Sequence, residues 1–297
     1  MSTILVTGAS GFLGEALVRR LAHAHRVVGA GFQHARDALD LREPAQVRCL
    51  LDAAQPDVAI HAAAYRDPDF CEAHPEEAAR LNVEPVRAMA AALPPAARLV
   101  LVSTDYVFDG EAPPYREDRE RRPASVYGRT KAAAEDLALA RANSLVVRIP
   151  LLIGIEPAHR GPSGFVLQIA RQVLDGKPAE ADDVLVRFPT WTEDVVAAVE
   201  FLLERSAAGV FHVSAPRGAT RYRWTLEVAR LLGRNADHLV PLRAPVPRPA
   251  RRPVNSQLST EKLRFAGFDR FTDFAAVARQ ILARASDLGD GALQRIP

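Results

Sequence analysis

The chain has 297 residues, 48% hydrophobic and 25% charged, enough for one large α/β core with or without an attached lobe. With 38 basic and 36 acidic residues the net charge is only +2, which argues against a nucleic-acid or membrane-surface partner. Cys49 and Cys71 have no metal-ligand spacing and are too few for a disulfide scaffold; no secretory leader pattern or long apolar span is read, so a reducing cytoplasm is the expected setting.

In chain order, strands are expected at Thr3–Thr7, Arg26–Ala30, Val58–Ala62, Leu99–Ser103 and Leu145–Ile149. Each is short and rich in Val, Ile or Leu, as strands buried on both faces are. Helices are expected between them at about 12–24, 43–54, 75–93 and 124–142. That alternation predicts a doubly wound parallel sheet with helices on both faces. The first 150 residues form the expected core.

From 151 to 285 the rhythm loosens into a small substrate lobe, with some segments returning to the core. A helix near 164–175 and a strand near 184–187 come first. Thr190 and Glu193 have capping-box spacing ahead of a helix at Val195–Leu203. A strand at Gly209–Ser214 and a helix at Tyr222–Leu232 follow. Pro241–Pro253, with five prolines and four arginines, reads as a loop. Ser259 could cap a short helix, and Phe274–Ala283 reads as the last one, before a tail at 286–297.

Chemistry first shows at Gly8-Ala9-Ser10-Gly11-Phe12-Leu13-Gly14, between the first strand and first helix. Gly8 permits a tight turn, Gly11 lets the backbone approach a pyrophosphate, and Gly14 lets the helix pack close to the strand. The helix N-terminus offers N–H groups and partial positive charge to the phosphates. This is the dinucleotide turn of a Rossmann-type fold. The second strand ends without an acid to grip a ribose 2′-hydroxyl, and Arg36 beyond it could pair with a 2′-phosphate, so NADP(H) is favoured over NAD(H).

Tyr127 and Lys131, four residues apart, share one helix face. A neighbouring ammonium is expected to lower the phenol's pKa and let it exchange a proton with a ketone or alcohol, while Lys131 also bonds the nicotinamide ribose. Thr104, with Ser103 as the alternative, closes the fourth strand, where a hydroxyl can hold the substrate carbonyl. Arg243, Arg248, Arg251 and Arg252 would suit a nucleotide-sugar diphosphate, although a solvated basic loop explains them too. No metal motif is present.

Taken together, these residues resemble the extended short-chain dehydrogenases, and more narrowly the dTDP-4-dehydrorhamnose reductase family. The resemblance rests on Ser103–Gly110, His61-Ala62-Ala63-Ala64, Asn82, Pro189-Thr190 and Arg252–Leu258. It implies a Thr104–Tyr127–Lys131 triad reducing the 4-keto group of a nucleotide-linked 6-deoxy sugar, with Ala63 beside the cofactor and Asp105 and Arg252 beside the substrate. Leu151 stands where that family usually carries a Trp. The chain is also similar to the NADP-binding regulatory β subunits of methionine adenosyltransferase, which carry no turnover of their own. That similarity implies cofactor contacts from Ser10, Gly11, Phe12, Leu13, Phe32, Gln33, His34, Asp40, Leu41, Ala62, Arg66, Tyr127 and Arg148, and a possible homodimer or partner enzyme.

Overall fold

The computed structural model describes residues 1–31, 39–155 and 164–287. The first half runs β1 (Thr3–Thr7), α1 (Phe12–Leu21), β2 (Arg26–Ala30), α2 (Pro44–Ala54), β3 (Val58–His61), α3 (Pro68–Ala73), α4 (Pro75–Asn82), α5 (Glu84–Ala92), β4 (Arg98–Thr104), a 3₁₀ turn (Asp105–Val107), α6 (Val126–Leu139) and β5 (Leu145–Ile149). The second half runs β6 (Leu152–Ile153), α7 (Phe165–Asp175), β7 (Ala179–Asp182), β8 (Val186–Arg187), β9 (Thr190–Trp191), α8 (Thr192–Glu204), β10 (Gly209–His212), β11 (Ala219–Thr220), α9 (Arg221–Leu231), β12 (Leu239–Leu242), α10 (Glu261–Phe265) and α11 (Phe274–Asp287).

Six parallel strands form one sheet in the order β10-β5-β4-β3-β1-β2. Alternate side chains leave its two faces, as the strand period requires. Ile4, Val6, Val100 and Val102 meet Leu17 and Leu21 of α1 and Val195, Val199 and Leu202 of α8. Leu5, Leu99, Leu101 and Val146 meet Val47 and Leu51 of α2, Met89 of α5, and Ala134 and Ala138 of α6. A separate core joins α7, α9 and α11 around Trp224, whose indole N–H donates to the Arg187 carbonyl. Among the described residues no helix is long and apolar enough to cross a membrane.

Several expectations are corrected. The helix expected over 75–93 breaks at Val83, because Pro85 has no N–H and its ring opposes a continuous turn. A short helix, α3, precedes it, capped by the Asp67 carboxylate on the Asp69 and Phe70 amides. Thr190 does not cap α8. It belongs to β9, donates to the Phe188 carbonyl and accepts from the Ala215 amide, and Trp191 takes the cap position. The proline-rich loop begins inside a strand, since Leu239–Leu242 pairs with Ala179–Asp182. Helix α11 continues to Asp287, past the expected start of the tail, and the rest of that tail lies outside the described residues.

Ser125 caps α6 by accepting from the Gly128 amide, and the 3₁₀ turn after β4 presses on the first helical turn. A Cβ at Gly128 would stand 2.2 Å from the Tyr106 carbonyl oxygen. Gly128→Ala therefore forces the turn and helix apart. We expect it to lower unfolding free energy by about 1–3 kcal/mol in urea titration.

Candidate active site

The carboxyl ends of the parallel strands open onto a crevice of about 1050 Å³, at the upper end of ligand-site sizes (roughly 300–1,000 Å³). One end is the turn between β1 and α1. Gly8 there has φ of +71°, which favours glycine, and a Cβ on Gly14 would meet the Gly8 carbonyl oxygen at 2.0 Å. Gly11 holds the N-cap position and has no capping side chain, so no side chain occupies the first-turn amides of α1. A bare helix start at the mouth of a crevice fits a pyrophosphate. Gly8, Ser10, Gly11, Phe12, Leu13 and Gly14 line this end, with Asp40, Leu41, Ala62, Ala63 and Arg66.

Thr104, Asp105, Tyr127 and Lys131 line the middle of the same crevice. Thr104 stands close enough to the Tyr127 phenol to pull its pKa down, and its hydroxyl lies 3.1 Å from an Asp105 oxygen. Burial raises the Tyr127 phenol above its usual range, against the downward pull of Thr104, with Asp105 and Tyr106 adding to the rise. This corrects the expected lowering by Lys131: in the protein alone, desolvation wins. Burial also brings the Lys131 ammonium down to about 8, with Glu135 opposing. His61, beneath, is held at about 3 by burial and by Lys131, and its Nδ1 lies 2.8 Å from the Thr7 hydroxyl.

Other residues of the site were not expected from sequence. Tyr106 sits edge-on to Tyr127, with ring centroids 5.6 Å apart. Arg42 grips Asp40 through Nε at 2.9 Å and Nη2 at 2.8 Å, so the carboxylate assigned to a cofactor contact is already bridged. Asn82, one of the residues that carry the resemblance, stays behind the crevice lining, where it is wholly buried and ties the Tyr65 backbone to Thr130 of α6. Arg187, close to Asp105 and Tyr106, and Arg221, close to Arg248, also line the crevice, as does Arg252. Local sequence held no signal for Arg187 and Arg221, because only the lobe's folding brings them there.

Four expected residues, Phe32, Gln33, His34 and Arg36, lie outside the described residues. Arg148 is corrected: it is not among the crevice-lining residues. Its guanidinium turns to Glu135, with Nη2 at 2.7 Å and Nε at 2.9 Å, both side chains being buried. Arg243 stays out of the crevice lining, and Arg251 pairs with Glu111 at the surface. Arg252 clasps Asp69 at 2.7 and 2.8 Å while still lining the crevice. Asp105 lines it too, but its two oxygens are engaged by Thr104 and Ser256.

The family model for the RmlD substrate binding domain matches residues 1–286. The chain belongs to that family. Within and around it, a probable dTDP-4,6-dihydroxy-2-methyloxan-3-one 4-ketoreductase of Streptomyces antibioticus is 36% identical, over 93% of each chain. Methionine adenosyltransferase 2 subunit beta of Xenopus tropicalis is 35% identical, over 94% of this chain and 86% of its own length. The crystal structure of a dTDP-4-dehydrorhamnose reductase from Clostridium acetobutylicum superposes with TM-score 0.83 at 29% identity, covering 96% of this chain and 99% of that one. In this RmlD-family chain Leu151 lines the crevice just beyond β5.

Two measurements test the electrostatics. Removing one partner of a buried ion pair strands the other, so Glu135→Leu should cost about 3–5 kcal/mol in denaturant unfolding, and adding Arg148→Met should recover part of it. Lys131 binds its proton less readily folded than unfolded. Between about pH 8 and 10.5 the unfolded chain therefore holds more protons, and stability rises with pH through that window. The stability of wild type relative to Lys131→Met should climb across it; a flat difference would show that Lys131 is not desolvated.

Proposed function

We propose that this protein is an NADP(H)-dependent reductase of a 4-keto-6-deoxy nucleotide sugar. The observation that carries the reading is the placement of Thr104, Tyr127 and Lys131 along one crevice with the Gly8–Gly14 cradle. A bound nicotinamide would supply hydride to the ketone. Tyr127 would give the emerging alkoxide its proton, Lys131 would offset the charge left on the phenol, and Thr104 would orient the carbonyl oxygen. A raised phenol pKa keeps Tyr127 protonated, as a donor must be.

The arginines in the crevice lining suit a diphosphate. Burial and the neighbouring Arg248 both lower the pKa of Arg221, so an anion would relieve it. The 36% identity to a 4-ketoreductase supports the substrate class. NADP(H) is favoured over NAD(H) because β2 ends in Ala30 with no acid and Arg36 follows. Free thiols at Cys49 and Cys71 suit a reducing cytoplasm.

A second reading, supported by the 35% identity to a methionine adenosyltransferase subunit, is a cofactor-bound regulatory subunit acting on a partner enzyme. NADPH consumption with a dTDP-4-keto-6-deoxy sugar separates the two. Under the first reading turnover is seen, and Tyr127→Phe loses about 10²–10⁴-fold in kcat while still binding NADPH. Tight NADPH binding with no turnover of any keto sugar would favour the second. Calorimetric titration checks the cofactor: NADPH should bind about tenfold or more tighter than NADH, and Arg36→Ala should erase that margin.

A further inference from the structure

Thr104 has one proton to donate, and the groups around it compete for that proton. Its oxygen accepts from the Tyr106 amide at 3.2 Å, it bonds Asp105 at 3.1 Å, and it stands close enough to the Tyr127 phenol to pull its pKa down. If Asp105 is a carboxylate, the Thr104 proton goes to it, and Thr104 can only accept from Tyr127. If Asp105 carries a proton, it donates to Thr104, whose own hydrogen then faces the phenol oxygen or a substrate. The state of Asp105 thus sets the direction of every bond in the row. Its other oxygen accepts from the Ser256 hydroxyl, which is wholly buried and arrives from a segment 151 residues along the chain.

We propose that Asp105, backed by Ser256, is a positioning residue that restores the Tyr127 proton through Thr104 after each reduction. The inference rests on the reductase reading. When the Tyr127 O–H bond breaks toward the substrate alkoxide, a phenolate remains. The Thr104 proton moves to that oxygen, and the Asp105 proton moves to Thr104. Three protons each shift one place, no electrons are exchanged, and a carboxylate is left that Ser256 stabilises by donation. Asp105 lines the crevice and recovers its proton from water there.

Burial raises the Asp105 pKa, while Ser256, Arg187 and Thr104 oppose that rise. The other titratable groups around the row are Tyr106 on the 3₁₀ turn, Lys131 on α6 and Cys71 on α3. Because Ser256 favours the charged form, its loss should move the carboxyl titration to higher pH.

The test compares wild type with Asp105→Asn and Ser256→Ala. Infrared difference spectra of the ligand-free proteins, wild type minus Asp105→Asn, should show a protonated carboxyl band that bleaches above the ordinary carboxylate range. The bleach should occur at higher pH in Ser256→Ala. In turnover, kcat should fall through the same pH in wild type, and that limb should move upward in Ser256→Ala. Asp105→Asn should lose the limb, with kcat down about 10²-fold and KM for the sugar little changed. An ordinary carboxylate midpoint, or a kcat profile that neither substitution shifts, overturns the proposal. If wild type turns over no sugar, the reductase reading fails, and the infrared midpoint alone decides whether Asp105 holds the proton.

Discussion

The Glu135–Arg148 ion pair is the constraint on which the rest of the site depends. Glu135 lies on α6, one turn beyond Lys131 and two beyond Tyr127. Its carboxylate takes both arms of Arg148 from β5, a third donor from Arg121 at 3.2 Å, and the Ser103 hydroxyl from β4. A carboxylate that has left water needs partners of this number and geometry. Satisfying it locks the rotation of α6 against the sheet. Tyr127 and Lys131 then face the crevice because Glu135 faces the strands. Arg148 extends the lock by donating to Nε2 of His212 at 3.2 Å, while the other ring nitrogen meets the Ser259 carbonyl at 3.1 Å. A neutral imidazole suits both contacts, and burial holds His212 at about 3.

Much of this was legible in the chain. The parallel strands carry local signals, namely short runs rich in Val, Ile and Leu alternating with helices. The glycine turn and the Tyr127–Lys131 pair are equally local. What could not be read depends on burial and on long-range folding. Arg148 looks the same in sequence whether it reaches toward a cofactor or turns beneath the sheet; Glu135 decides, and it carries no motif on its own. The phenol's raised pKa is hidden for a related reason, since spacing reveals a neighbour but not the loss of water. Strand Ala179–Asp182 alternates only Ala with acids, residues depleted in strands, so its partner Leu239–Leu242 is what makes it visible.

The segment after the proline-rich stretch makes the two halves interdependent. Arg252 binds Asp69 of α3, Asn255 bridges Val186, Leu258 bridges Tyr115, and Ser256 bonds Asp105. Strand β10 meanwhile completes the main sheet by pairing with β5. Of the residues these contacts hold, Asp105 and Arg252 line the crevice, so its wall is built jointly by early and late residues.

That shared construction bears on descent. A recombination breakpoint between the codons for Pro150 and Ser256 would give Asp105 a hydroxyl partner from a different ancestor, and one that falls before Gly209 would give β5 a different neighbour as well. The stretches on either side must therefore be inherited together, and shuffling among homologous genes should leave few surviving junctions in that interval.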